Sequence, residues 1–272
     1  MGQSYYVSGQ LTGQLTIALK PYRVVVGFLL ASLLWNCGAF PHVFAAYTSL
    51  RLSDDFFPAF ASSPYVLAAL YLIPLTLSVF ALFTRGKLLL RSYAIATAAC
   101  LFGLCIHQGS YNDVTFLTCF WVSLWCVWYT FRLDDPVDAL AAKAKTFAML
   151  ILSLIFLGGA AGKWTQGYWS GEVLYQIYFV DRDFWFFNLL RENLAADTLR
   201  DVAVYYSRLV IVSESVCAFL WLMNPKVGSA IAIAMFLGIT LFSNVHLFSV
   251  TLCLIGLAVF GLHEPKTYSQ SK

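Results

Sequence analysis

The sequence predicts an all-α fold: a polytopic transmembrane helical bundle of about eight spans, with an interfacial helical connection after the fifth. Three observations predict it. Of 272 residues, 60% are hydrophobic and only 11% are charged, with a mean hydropathy of +0.73; a water-facing surface needs far more charge. Apolar stretches recur at the length that crosses hydrocarbon, about 20 residues. The 23 Phe, 15 Tyr and 8 Trp suit the aromatic belts of the two membrane interfaces. The lipid bilayer is therefore the expected environment. A net charge of +3 without a basic run gives no nucleic-acid partner.

The spans fall near 23–44, 64–84, 88–107, 114–131, 146–163, 202–223, 228–244 and 246–262, within a single integral-membrane domain, 1–272. Residues before Lys20 lack an early basic region and a strong apolar stretch, so they do not read as a signal peptide. The last two spans require a tight turn at Ser243-Asn244; one long tilted helix is the alternative. The connection at 164–201 is not a plain hydrophilic loop. Its run G-E-V-L-Y-Q-I-Y-F-V-D-R-D-F-W-F-F-N-L-L-R mixes aromatic and charged residues, which suits helices lying in the interface or dipping back into the protein.

Charge distribution orients the chain. With both termini cytoplasmic, the inner segments hold Lys20, Arg23, Arg85, Lys87, Arg91, Arg132, Lys143, Lys145, Lys226, Lys266 and Lys272, which is 11 of the 17 basic residues. The outer side holds Arg51, Lys163, Arg182, Arg191, Arg200 and Arg208, five of them in or beside the one long outer connection. Positive-inside asymmetry thus favours eight spans with both ends in the cytoplasm. Seven cysteines, all within or at the ends of apolar stretches, argue against a disulfide framework and for small apolar packing groups.

This topology gathers ionisable residues at one end. His42, His107, Asn112, Asp113, Lys163, Glu172 and His246 lie at the outer ends of their spans or in the outer connection. Arg208 and Glu214 sit in the first half of span 6, entering from outside. Glu214 is deep enough to need a partner or a proton. Arg208 and Glu214 are six apart and so do not face each other on one helix. The histidines can also be read as capping or interfacial side chains. Lys163 can be read as a lysine snorkelling to the interface, although Gly158, Gly159, Ala160 and Ala161 just before it let another backbone or a ligand approach. The histidine spacing is not a metal-site pattern, so no metal is expected.

The stretch G-G-A-A-G-K-W-T-Q-G-Y-W-S-G-E, Gly158 to Glu172, resembles a signature of the family that joins the vitamin K-dependent gamma-carboxylase membrane region with the bacterial HTTM (horizontally transferred transmembrane) proteins. DoxX/DoxD-like quinone-linked proteins are more distant look-alikes. S-E-S-V-C-A-F-L-W-L-M-N-P (213–225) and F-S-N-V-H-L-F-S-V-T-L-C-L-I-G-L-A-V-F (242–260) resemble the family's Glu-containing helix and its late His-opened helix. The resemblance implies a catalytic base at Lys163, with His246 and Glu214 beside it. It also implies a quinone-type lipid or other lipophilic ligand contacted by Trp169, Asn112, Asp113, His107 and Arg208. It suggests a bacterial cytoplasmic (inner) membrane location. This chain has Tyr111-Asn112-Asp113 where the carboxylase has an Asn-Asn-His stretch, and it lacks the large soluble domain, so glutamate carboxylation is not expected. A non-catalytic partner for the maturation, export or immunity of a secreted peptide is the alternative function, with another membrane or secreted protein as its partner. A transporter is less well supported, because the chain does not divide into two matching halves.

Overall fold

The computed structural model describes the whole chain except residues 1, 39, 42–43, 46–62, 108–113, 182–183, 243–246 and 263–272; side chains are described from residue 14 onward, with that of residue 107 excepted. Every regular element among the described residues is helical. In chain order these are α1 (Gly2–Asn36), α2 (Pro64–Phe83), α3 (Lys87–His107), α4 (Val114–Phe131), α5 (Val137–Lys163), α6 (Gln166–Trp169), α7 (Glu172–Tyr175) running into a π-helical turn (Gln176–Asp181), α8 (Trp185–Asn193), α9 (Ala196–Met223), α10 (Pro225–Phe242) and α11 (Phe248–Leu262).

Seven of these helices (α1 from Gln14, α2, α3, α4, α5, α9 and α10) are long and apolar enough to cross a membrane. The molecule is thus an all-α polytopic bundle. The helix at the expected eighth span is α11, with 15 residues and hence about 22 Å long, shorter than the roughly 30 Å of a bilayer core. It is separate from α10 and runs back along it. Thr240 and Thr251 hydroxyls meet at 3.0 Å, and a Cβ at Gly261 would reach the Ser229 Oγ and the Pro225 carbonyl. One continuous helix allows neither contact. The first helix begins well before the expected span 23–44 and ends at Asn36. Pro21 lies inside it rather than marking its start. Proline removes one intrahelical hydrogen bond, which a 35-residue helix absorbs.

Two compact units divide the chain: Met1–Phe147 with Leu252–Leu257, and Ala148–Thr251 with the end of α11. In the first, α3 packs against α2 and α4, and α1 packs against the same two helices. Lipid offers no hydrophobic drive for helices to associate, so close packing and interhelical hydrogen bonds carry the unit. Tyr71 on α2 donates to the Leu33 carbonyl at 2.5 Å. Tyr129 on α4 donates to the Ala18 carbonyl at 2.7 Å and stacks between Trp125 and Tyr22. The Trp125 indole donates to the Ala144 carbonyl at 3.1 Å. All of these rings are buried, and the polar tips of Tyr71, Trp125 and Tyr129 have each found a backbone acceptor.

The second unit is built on α9. Asn224 separates α9 from α10 and accepts the Val227 amide on its side chain at 3.3 Å, while Pro225 supplies the fixed φ that suits a first helical residue. Gly228 lets α10 fold tightly back, because a Cβ there would lie 2.8 Å from the Trp221 amide nitrogen. The Trp221 indole donates to Ser229 Oγ at 3.1 Å, and its ring meets Phe156 edge-on at 4.6 Å. Ser153 on α5 donates to the Ala218 carbonyl at 2.5 Å. The connection at 164–201 is largely helical. Its aromatic residues Phe179 and Phe187 pack with Leu199 and Ala203 at the start of α9. Trp185 donates to the Leu241 carbonyl at the end of α10 at 2.8 Å.

Candidate functional site

The site lies where α5 stops. Lys163 is the last residue of α5, and its side chain does not reach outward. It folds back along its own helix, as helical side chains do, and Nζ donates to the Gly159 carbonyl at 3.2 Å. There it meets the Glu214 carboxylate, at 2.7 Å to Oε2 and 3.1 Å to Oε1. Gly159 faces this pair: a Cβ there would sit 3.4 Å from Glu214 Oε2 and 3.7 Å from Nζ, in ordinary contact with both. A cation at the carbonyl end of α5 is also favoured by the helix dipole. Snorkelling to the interface, one reading of the lysine, is not what the side chain does.

The chain beyond Lys163 runs along α9. Trp164 donates its indole N–H to Ser215 Oγ at 3.1 Å. Ser207 donates to the Tyr168 carbonyl, and Arg208 Nε to the Trp169 carbonyl at 3.3 Å. Gly171 then lies against Ala203 and Val204. Its φ is +79°, and a Cβ would come within 2.6 Å of the Val204 backbone, so only glycine fits both the turn and the approach. From Ser215 to Val204 this segment covers about 16 Å of α9. Over that length α9 turns Tyr205, Leu209 and Val212 outward, whereas Asp197, Arg200 and Asp201 beyond it are exposed and polar. Arg208 is exposed on the same stretch, in a helix long and apolar enough to cross a membrane. Glu214 lies ten residues on from Val204, about 15 Å along the helix. Here α5 gives way to a short turn-rich segment, and such backbone survives at membrane depth only where protein or a lined cavity covers it.

The two ligand-contact residues expected on this segment meet each other. The Arg208 guanidinium lies 5.4 Å over the Trp169 ring, and Trp169 stacks on Trp164 with centroids 5.2 Å apart and planes at 19°. Arg208 thus serves Trp169 and not Glu214, as their spacing on one helix requires. Glu172 begins α7 just after Gly171. His42, Asn112, Asp113 and His246 lie outside the described residues. His107 ends α3, and its side chain is likewise outside them. Among the described residues no group of three or more His, Cys, Asp or Glu is placed to hold a metal ion. Sequence reasoning missed Trp164, Tyr168, Ser207 and Ser215. None carries a periodic signal, and the only pointer was the crowding of tryptophans around Lys163.

Chemically, the three ammonium protons of Lys163 face three acceptors: the Gly159 carbonyl and both oxygens of Glu214. In this state Nζ has no lone pair to offer. To act as a base the amine must first give up a proton; as it stands, it is a hydrogen-bond donor and a positive charge. Comparison with family models, with curated proteins and with solved structures finds no match.

Proposed function

We propose that this protein is an integral membrane protein of the HTTM/gamma-carboxylase-like type. In this reading it binds, or acts on, a quinone-like or other lipophilic substrate at an extracytoplasmic-side polar site centred on Lys163. The observation that carries the reading is the Lys163–Glu214 ion pair at the point where α5, a helix long and apolar enough to cross a membrane, ends. Ionisable groups inside a membrane are costly and mark substrate or proton paths, and interrupted helices are where membrane proteins place such sites. Lys163 serves as base or electrostatic anchor for a ligand oxygen with Glu214 as its partner, and the Trp164–Trp169 stack provides an aromatic wall for a flat ring. His246 completes the constellation in the family-based reading.

The test is extraction of the purified protein followed by mass spectrometry of its lipids. Wild type is expected to retain a quinone-type lipid near one per chain, and Lys163→Ala at least tenfold less at equal membrane levels. Equal retention by both, or none by wild type, overturns the reading. One observation favours the alternative of a non-catalytic partner for a secreted peptide. Gly158 and Gly162, four apart on α5, have open space where a Cβ would stand, as a closely approaching helix requires. In that case Gly158→Leu, and not Lys163→Ala, removes the phenotype.

A further inference from the structure

We propose that Lys20, Arg23 and Arg85 form a binding site for a phosphate-bearing anion, supplied by the headgroup of an anionic phospholipid in the leaflet that meets the turn between α2 and α3. Lys20 and Arg23 are three apart on α1 and so share a face. Arg23 Nη2 donates to the Thr84 carbonyl at 3.4 Å, which brings this basic turn of α1 against the residue that precedes Arg85. The next acid, Asp134, is already engaged by Lys87 at 2.5 Å and Arg91 at 2.8 Å, and Asp135 by Lys143 and Arg132. Among the described residues no ion pair includes Lys20, Arg23 or Arg85, so none of these three cations is matched there by a carboxylate.

Arg23 also holds an unmet donor. Its Nε–H is buried and has no hydrogen-bond partner among the described residues. Buried polar groups are nearly always satisfied, and a guanidinium gives two parallel N–H bonds to a phosphate better than to any other anion except a carboxylate. The location suits a lipid phosphate. Arg23 lies beside the turn that joins α2 to α3, two helices long and apolar enough to cross a membrane, and basic residues at such turns attract anionic lipid headgroups.

The experiment measures thermal unfolding of the full chain in detergent with added phosphatidylglycerol, phosphatidylcholine or inorganic phosphate, with native mass spectrometry of retained lipid. Phosphatidylglycerol is expected to raise the midpoint by several degrees and phosphatidylcholine by less. Arg23→Gln is expected to lose more than half of that rise, and Arg85→Gln, exposed and tolerant of change, a smaller share. No rise with inorganic phosphate assigns the site to lipid. An equal rise with inorganic phosphate, lost in the variants, keeps the anion site and assigns it to free phosphate. An unchanged rise and unchanged lipid retention in Arg85→Gln and Arg23→Gln overturn the proposal.

Discussion

Two ion pairs in this molecule use the same chemistry in opposite surroundings. At the turns that join α2 to α3 and α4 to α5, Asp134 binds both Lys87 and Arg91 with most of its carboxylate in solvent. At the end of α5, Lys163 binds Glu214 with only 26% and 15% of the two side chains exposed, between helices whose outer faces are apolar. Solvent screens the first pair and returns most of the free energy when it breaks. The second has no such substitute: a charge left alone there keeps its desolvation cost. Burial, rather than the number of partners, separates an incidental ion pair from a demanding one.

The contrast breaks most sharply at Lys163. Lys163→Ala leaves Glu214 uncompensated and is expected to cost about 3 kcal/mol, since breaking a buried pair costs on that order and partial exposure trims it. The double variant Lys163→Met/Glu214→Leu is expected to regain most of this stability, because apolar residues of similar volume replace buried pairs at little cost. Thermal unfolding of the single and double variants checks both statements. The double variant also sharpens the functional reading. If the pair only fastens α5 to α9, restored stability brings restored ligand retention; if it is the site, stability returns and retention does not.

Gly171 comes next. It turns the segment that follows Lys163 onto α9 with a positive φ and with no room for a side chain against Val204. Gly171→Ala is expected to destabilise by about 2 kcal/mol, the sum of a strained backbone conformation and a forced shift of α9. Because Trp164 and Trp169 depend on that turn, their stack should loosen too, seen as a change in tryptophan fluorescence. An unchanged unfolding midpoint would remove Gly171 from the set of residues that hold the site.

Much of this was readable before any coordinates. Val114–Phe131 appears with the same bounds in sequence and structure, because an unbroken apolar run stands between Asp113 and Arg132. The helical character of the 164–201 connection followed from its aromatic and charged mixture. The start of α1 was not readable. Val7, Leu11, Leu15 and Leu19 recur every four residues, but Gln, Ser, Thr and Gly between them keep the stretch from reading as a membrane span, and Pro21 looks like a boundary although the helix passes through it. Nor could the sequence choose a partner for Glu214. Helix periodicity excluded Arg208, but Lys163 is 51 positions away, and only tertiary packing brings them together. Trp164 was overlooked for the same reason: its partner, Ser215, sits on a different helix.

The smallest effect belongs to the exposed pair, and pH reveals it. Hydrogen bonds from Lys87 and then Arg91 hold the Asp134 carboxyl below the usual carboxylate range. A group whose folded value is lowered stabilises the fold above its unfolded value and loses that contribution as pH falls through the folded one. Asp134→Asn should therefore differ slightly from wild type at neutral pH, and the difference should close as pH drops below about 4, the ordinary range for aspartate. Added salt should shrink it at any pH, since exposed charges are screened within about 10 Å at 0.1 M. A difference that grows on acidification would place Asp134 in a less solvated setting than its exposure indicates, and would erase the contrast with Glu214.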